Sequence, residues 1–128
     1  MKLLQTTFIL FLLVASSHTF GQSLKITSVG SADNYSAKLL EKQLVGKELE
    51  LTLFQDSALV VIAPLHQKEK MKQTGVNQYM RTDSTDTGKS SSELTLLKTK
   101  GQLSSINLKL ISTSQAGDKT EIWIIAKP

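Results

Sequence analysis

Residues 48–63 read ELELTLFQDSALVVIA, and this stretch decides the fold. Leu49, Leu51 and Leu53 alternate with Glu48, Glu50 and Thr52, a period of two that makes one apolar and one polar face, as in a half-buried strand. Gln55, Asp56 and Ser57 supply a polar turn, and residues 58–63 are then apolar on both faces until Pro64 stops them. The pair predicts a hairpin whose second strand is covered on both sides.

The same grammar continues downstream. Strands are expected over residues 93–97, 104–111 and 119–126, separated by turns containing Gly101 and Gly117, and Ile106, Leu108 and Leu110 alternate with Ser105, Asn107 and Lys109. In the last strand Ile122, Ile124 and Ala126 line one face while Trp123 and Ile125 line the other. A strand of that kind aggregates if left at an edge, so it is expected inside the sheet, with its outer face beneath a helix, a second layer or a partner. Between these regions, Gly75 is expected to turn residues 68–73 into residues 77–82. Residues 83–92 are almost wholly Asp, Ser, Thr, Gly and Lys, which predicts a mobile loop because no apolar burial offsets the entropy of ordering them.

Upstream the period changes. A weak strand at residues 24–29 precedes the only expected helix, residues 32–45, with Ser31 as N-cap, Asp33 in the first turn and Gly46 as the left-handed stop. Tyr35, Leu39, Leu40 and Leu44 form its apolar stripe, and Lys38, Glu41 and Lys42 face water. This order, one N-terminal helix packed on a curved antiparallel meander of about six to seven strands, is an α+β pattern. It resembles the cystatin-like arrangement of a helix across a curved sheet. It also resembles small lipocalin-like barrels, through Leu44-Val45-Gly46 followed by an alternating strand, although Glu48 stands where lipocalins carry tryptophan. Neither likeness carries functional residues over to this chain.

The chain opens with an export signal: Lys2 leads to eight unbroken apolar residues at positions 8–15, followed by Ser16, Ser17, His18 and Thr19. That run falls short of the roughly 20 residues a membrane span needs, so cleavage is expected, after Gly21 with Thr19 behind it or alternatively after Ser17 with Ala15 behind it. Residues 22–128 then form a single exported domain, periplasmic or secreted. With no cysteine in the chain there is no disulfide and no site for a lipoprotein acyl anchor, and no integral membrane anchor is expected. The net charge of +4 and the scarcity of aromatics, 5% of residues, argue against a nucleic-acid partner.

Catalytic, cofactor and metal motifs fail on inspection. Asp83, Asp86 and Gly88 imitate a calcium loop, but Thr85 and Thr87 stand where it needs acidic or amide residues and Leu94 where it needs a bidentate glutamate. Gly88-Lys89-Ser90 lacks the earlier glycine of a phosphate loop, and His66 with Glu69 makes only one pair of metal-type ligands. One basic constellation stands out. Lys68, Lys70 and Lys72 alternate along a strand, and Tyr79 and Arg81 are expected across from them on the same face, which would form an anion-binding strip for a phosphate head group, an acidic glycan or an acidic protein. A single helix covers one side of a sheet only, so the second side calls for barrel closure, a docked chain or an apolar ligand. The expectation is a small exported binding or interaction module for an apolar ligand or an envelope protein, with a secreted hydrolase using scattered carboxylates, or a structural subunit of an oligomer, as alternatives.

Overall fold

The alternation of residues 48–53 becomes a strand whose neighbours run all the way round. The computed structural model describes residues 20–32 and 34–128. Most of the expected leader lies outside the described residues, as do Asp33 and the side chains of Phe20, Asn34 and Tyr35. In chain order the elements are β1 (Phe20–Ser31), α1 (Asn34–Leu44), β2 (Glu48–Leu53), β3 (Ser57–Ile62), a 3-10 turn (Ala63–Leu65), β4 (Gln67–Gly75), β5 (Gln78–Thr85), β6 (Gly88–Thr99), β7 (Gln102–Ser114) and β8 (Lys119–Lys127). Each strand pairs antiparallel with the next and β8 returns to β1, closing an eight-stranded barrel. The expected meander is therefore present with eight strands, not six to seven, and of the two expected arrangements it takes the closed barrel and not the open sheet crossed by a helix.

Closure depends on β1 serving two partners. Its first half, from Phe20 to Lys25, pairs with β2, and its second half, from Lys25 to Ser31, pairs with β8. The register shifts between Ile26 and Ser28, leaving Thr27 as the extra residue, and such a bulge bends a strand and sharpens its twist. The Thr27 hydroxyl donates to the Ile125 carbonyl at 3.3 Å. Because β2 reaches only the first half of β1, the space beside the second half is taken by α1. The Gly46 amide donates to the Ile26 carbonyl and the Ile26 amide to the Lys47 carbonyl, each at 2.9 Å, so the helix end is stitched to the middle of β1. Leu44 is fully buried in the core, Leu40 packs against it, and Leu39 stays exposed.

Inside, the barrel is filled by its own side chains. Leu24, Ile26, Leu49, Leu51, Val60, Ile62, Met71, Leu94, Ile106, Leu108 and Ile124 all lie at or below 1% exposure, as expected when eight strands close around an interior just wide enough for side chains. The outer faces of β3 and β8 are half-buried, but not by the helix, which packs on β1. Leu59 and Val61 stand across from Lys70 and Lys68 on β4, and Trp123 and Ile125 across from Lys109 and Asn107 on β7. Lysine stems cover apolar surface while their ammonium groups stay in water, so neither a second layer nor a partner is required. On β1 the Trp123 ring lies close over Gly30, where an added Cβ would come within 3.3 Å of it.

The expected loop at residues 83–92 is instead a hairpin. β5 runs to Thr85 and β6 starts at Gly88, joined by Asp86 and Thr87 alone. Gly88 has a φ of +146° and pairs with Ser114, so a side chain there would strain the backbone and collide with the Thr113 carbonyl oxygen. Two stability predictions follow from this packing. Leu44→Ala lowers the unfolding free energy in urea by about 2–5 kcal/mol while Leu39→Ala changes it by less than about 0.5, and Gly88→Ala costs about 1–3 kcal/mol.

Candidate functional site

The inner face of five consecutive strands changes from apolar to polar along the barrel axis. On β4 it passes from Met71 to Glu69 to Gln67, on β5 from Tyr79 to Arg81, on β6 from Leu94 to Ser92 to Ser90, on β7 from Leu110 to Ser112 and on β8 from Ile122 to Thr120. Register aligns these residues in rows: Arg81 pairs with Ser92, Ser92 with Leu110, and Leu110 with Ile122. One step nearer the mouth, Asp83 pairs with Ser90, Ser90 with Ser112, and Ser112 with Thr120. The rows enclose a cavity of about 240 Å³ at this end of the barrel, with Leu110 and Ile122 as its apolar wall.

Glu69 is the chemical centre of this mouth. It is only 4% exposed, and a buried carboxylate is tolerated when it is paired and hydrogen-bonded. Both its oxygens are engaged: Oε2 accepts from Arg81 Nε at 2.6 Å, and Oε1 from Gln67 Nε2 at 2.7 Å. The far edge of the Arg81 guanidinium is held more loosely, with Nη2 donating to Ser90 Oγ at 3.4 Å and Nη1 lying 3.5 Å from Asp83 Oδ2. Beside this network the Ser92 hydroxyl, in a residue 1% exposed, is the single buried side-chain polar atom without a partner among the described residues. Such an atom costs about 1–3 kcal/mol when nothing bonds to it.

The expected basic strip is divided between two faces. Lys68, Lys70 and Lys72 do share the outer face of β4, whereas Tyr79 and Arg81 point inward with Glu69 and Met71. The turn lies at residues 76–77 with a register shift between Gln73 and Gly75, so Lys72 faces Met80 and Gln73 faces Tyr79. In a strand, a change of one residue in register exchanges the faces. β4 is also not an edge, because the closed barrel has none. His66 ends the 3-10 turn in the left-handed conformation, exposed, while Glu69 points into the barrel. Glu69 and Ser92 were missed as site residues, although one signal was available: Met71 and Tyr79 mark the inner face, and Glu69 and Arg81 each lie two residues from them.

A second ionic group sits on the outer surface, where Lys119 and Lys109 lie 3.0 and 3.7 Å from Glu121 Oε1. The Lys119 hydrogen bond, helped by the charges of both lysines, holds the Glu121 carboxyl below its ordinary value against a smaller opposing effect of desolvation. A depressed carboxylate stabilises the fold above the ordinary carboxylate range, and that contribution is lost as pH falls through the lowered value. In Lys119→Gln, an NMR titration of Glu121 therefore gives a higher pKa. At the mouth, Glu69→Ala leaves Arg81 without its closest partner and costs about 2–3 kcal/mol in urea unfolding, allowing for the partial exposure of Arg81. Replacing both by methionine recovers most of that loss. No protein-family model, curated protein or solved structure matches this chain.

Proposed function

We propose that this protein is a small exported binding barrel, lipocalin-like in arrangement, whose ligand sits in the polar mouth and not in the side-chain-filled centre. The observation that carries the reading is the unpartnered Ser92 hydroxyl, buried beside the Glu69–Arg81 pair in a cavity of about 240 Å³. A ligand meets that hydroxyl when the Ser92 side chain turns toward the cavity, and the bond it then makes removes the unfavourable contribution of a buried unpaired group. Export is supported by the apolar run at residues 8–15 behind Lys2.

The chemistry of the mouth selects the ligand class. Glu69 and Arg81 cancel one another and Asp83 at the rim adds a negative charge, so the site disfavours an anionic guest. Arg81 offers spare N–H donors, Glu69 spare lone pairs, and Ser92 a hydroxyl that donates or accepts. Leu110 and Ile122 give the guest an apolar flank. A small neutral molecule carrying both donors and acceptors, such as a sugar or a nucleoside, fits these demands better than a fatty acid. The carboxylate of Glu69 is occupied by Arg81 and Gln67, which suits holding a ligand more than shuttling protons.

Native mass spectrometry of protein purified from its source, followed by thermal-shift screening of sugars, nucleosides and amino acids, tests the reading. The expected result is a retained small molecule, or a panel member that at a hundredfold over its Kd stabilises the protein by about 2.7 kcal/mol, with the effect lost in Ser92→Val. No added mass and no panel member that binds, or turnover of a panel member, overturns it.

A further inference from the structure

The opposite end of the barrel has a different character. The turns at residues 54–56, 76–77 and 100–101 gather there, together with the start of β1 and the end of β8. Val76 is 86% exposed at the tip of the β4–β5 turn, and Phe54, Leu97 and Met80 are exposed around it, so that four of the six large apolar side chains exposed among the described residues lie at this end. The end is not sealed: a depression of about 580 Å³ opens there with Leu53, Leu96 and Leu103 on its floor.

Charge is distributed with the same bias. Lys72, Lys98, Lys100 and Lys127 lie at this end, with Asp56 in the β2–β3 turn and Glu93 across from Met80 as the acidic residues among them. Lys70 reaches over the Phe54 ring, its Nζ 5.9 Å from the ring centre, which adds a cation beside that tip. Among the described residues, the ion pairs of Glu69, Asp83 and Glu121 belong to the other end, and none of the four lysines has an acidic partner within bonding distance.

We infer that this end docks on an anionic lipid surface, with Val76, Phe54 and Leu97 entering the interface and the unpaired lysines contacting phosphate head groups. An acidic soluble partner would be recognised by the lysines but gives no role to a valine held almost wholly in water. Apolar tips ringed by lysines match the two contributions of peripheral membrane binding, burial of apolar area and attraction to anionic lipid.

Co-sedimentation of the purified protein with vesicles of phosphatidylcholine alone, and of phosphatidylcholine mixed with phosphatidylglycerol, tests the inference, with soluble polyglutamate as the comparison for charge alone. The protein is expected to sediment with the mixed vesicles only, and less so as salt is raised. Each lysine near an anionic surface contributes about fivefold in partitioning, so Lys98→Gln, Lys100→Gln and Lys127→Gln together weaken binding by about a hundredfold. Lys38→Gln with Lys42→Gln on α1 leaves it unchanged. Val76→Ser with Leu97→Ser weakens vesicle binding but not polyglutamate binding. Absence of sedimentation with the mixed vesicles, full binding by the triple lysine variant, or tip variants that bind vesicles as the parent does would each overturn it.

Discussion

The division of β1 between two neighbours is the constraint on which the architecture rests. A β1 that paired with β2 alone would leave β8 as an edge, and β8 carries Trp123 and Ile125 on one face and Ile122, Ile124 and Ala126 on the other. The bulge at Thr27 lies within the β1–β8 ladder and turns β1 along β8 past the end of β2, so that the most aggregation-prone strand of the chain has both its ladders filled. The same turn opens the gap beside the second half of β1, and α1 fills it with Leu44 and Leu40. Helix position is thus a consequence of barrel closure, and the helix acts as a plug for that gap and not as a cover for the sheet.

Closure also explains how a cysteine-free chain of this size holds a polar mouth. An interior packed with leucine and isoleucine from β1, β2, β3, β6, β7 and β8, together with Met71 of β4 and Tyr79 of β5, provides apolar burial worth about 1.5–3 kcal/mol for each large side chain. Against that background the chain tolerates one buried carboxylate, because Arg81 and Gln67 meet both its oxygens. The inward-facing polar residues are confined to one end of β4 to β8, while the β1 side of the same end is closed by Leu44. The mouth is consequently lopsided, apolar and sealed on one flank, polar and recessed on the other.

Much of this was legible in residue spacing. The period-two runs of β2, β3, β7 and β8, the single helix and its glycine stop all follow from alternation and capping, because one buried face per element leaves a local signature. What was not legible depends on pairing across the chain. Residues 83–92 carry no apolar face, so composition alone reads them as disordered. Their order comes from two full ladders, β5 to β6 and β6 to β7, and from threonine and serine side chains suited to strands, as in the Thr85–Thr87 hydroxyl contact at 3.0 Å. The face of Arg81 was likewise hidden. The bulge and turn near Gly75 set the β4–β5 register, and that register brings Arg81 to Glu69 and keeps it from the lysines. Barrel closure itself left no local trace, since the bulge at Thr27 looks in sequence like an ordinary weak strand.

Strand alternation carries a further consequence for β4. Its odd residues, Gln67, Glu69, Met71 and Gln73, point inward, and its even residues, Lys68, Lys70 and Lys72, point outward. One short sequence, QKEKMKQ, therefore supplies the buried acid of the mouth and the cationic cover over Leu59 and Val61 at once. The two roles are kept apart by the thickness of the sheet, so the outer lysines cannot neutralise Glu69 and only an inward cation can. Arg81, on the adjacent strand, is that cation, and its long planar side chain reaches Glu69 with Nε while its outer edge remains turned toward Ser90 and the cavity. A lysine at position 81 would satisfy the acid as a point charge but would present no second edge. The choice of arginine is what converts a buried ion pair from a structural plug into a surface that still has donors to offer.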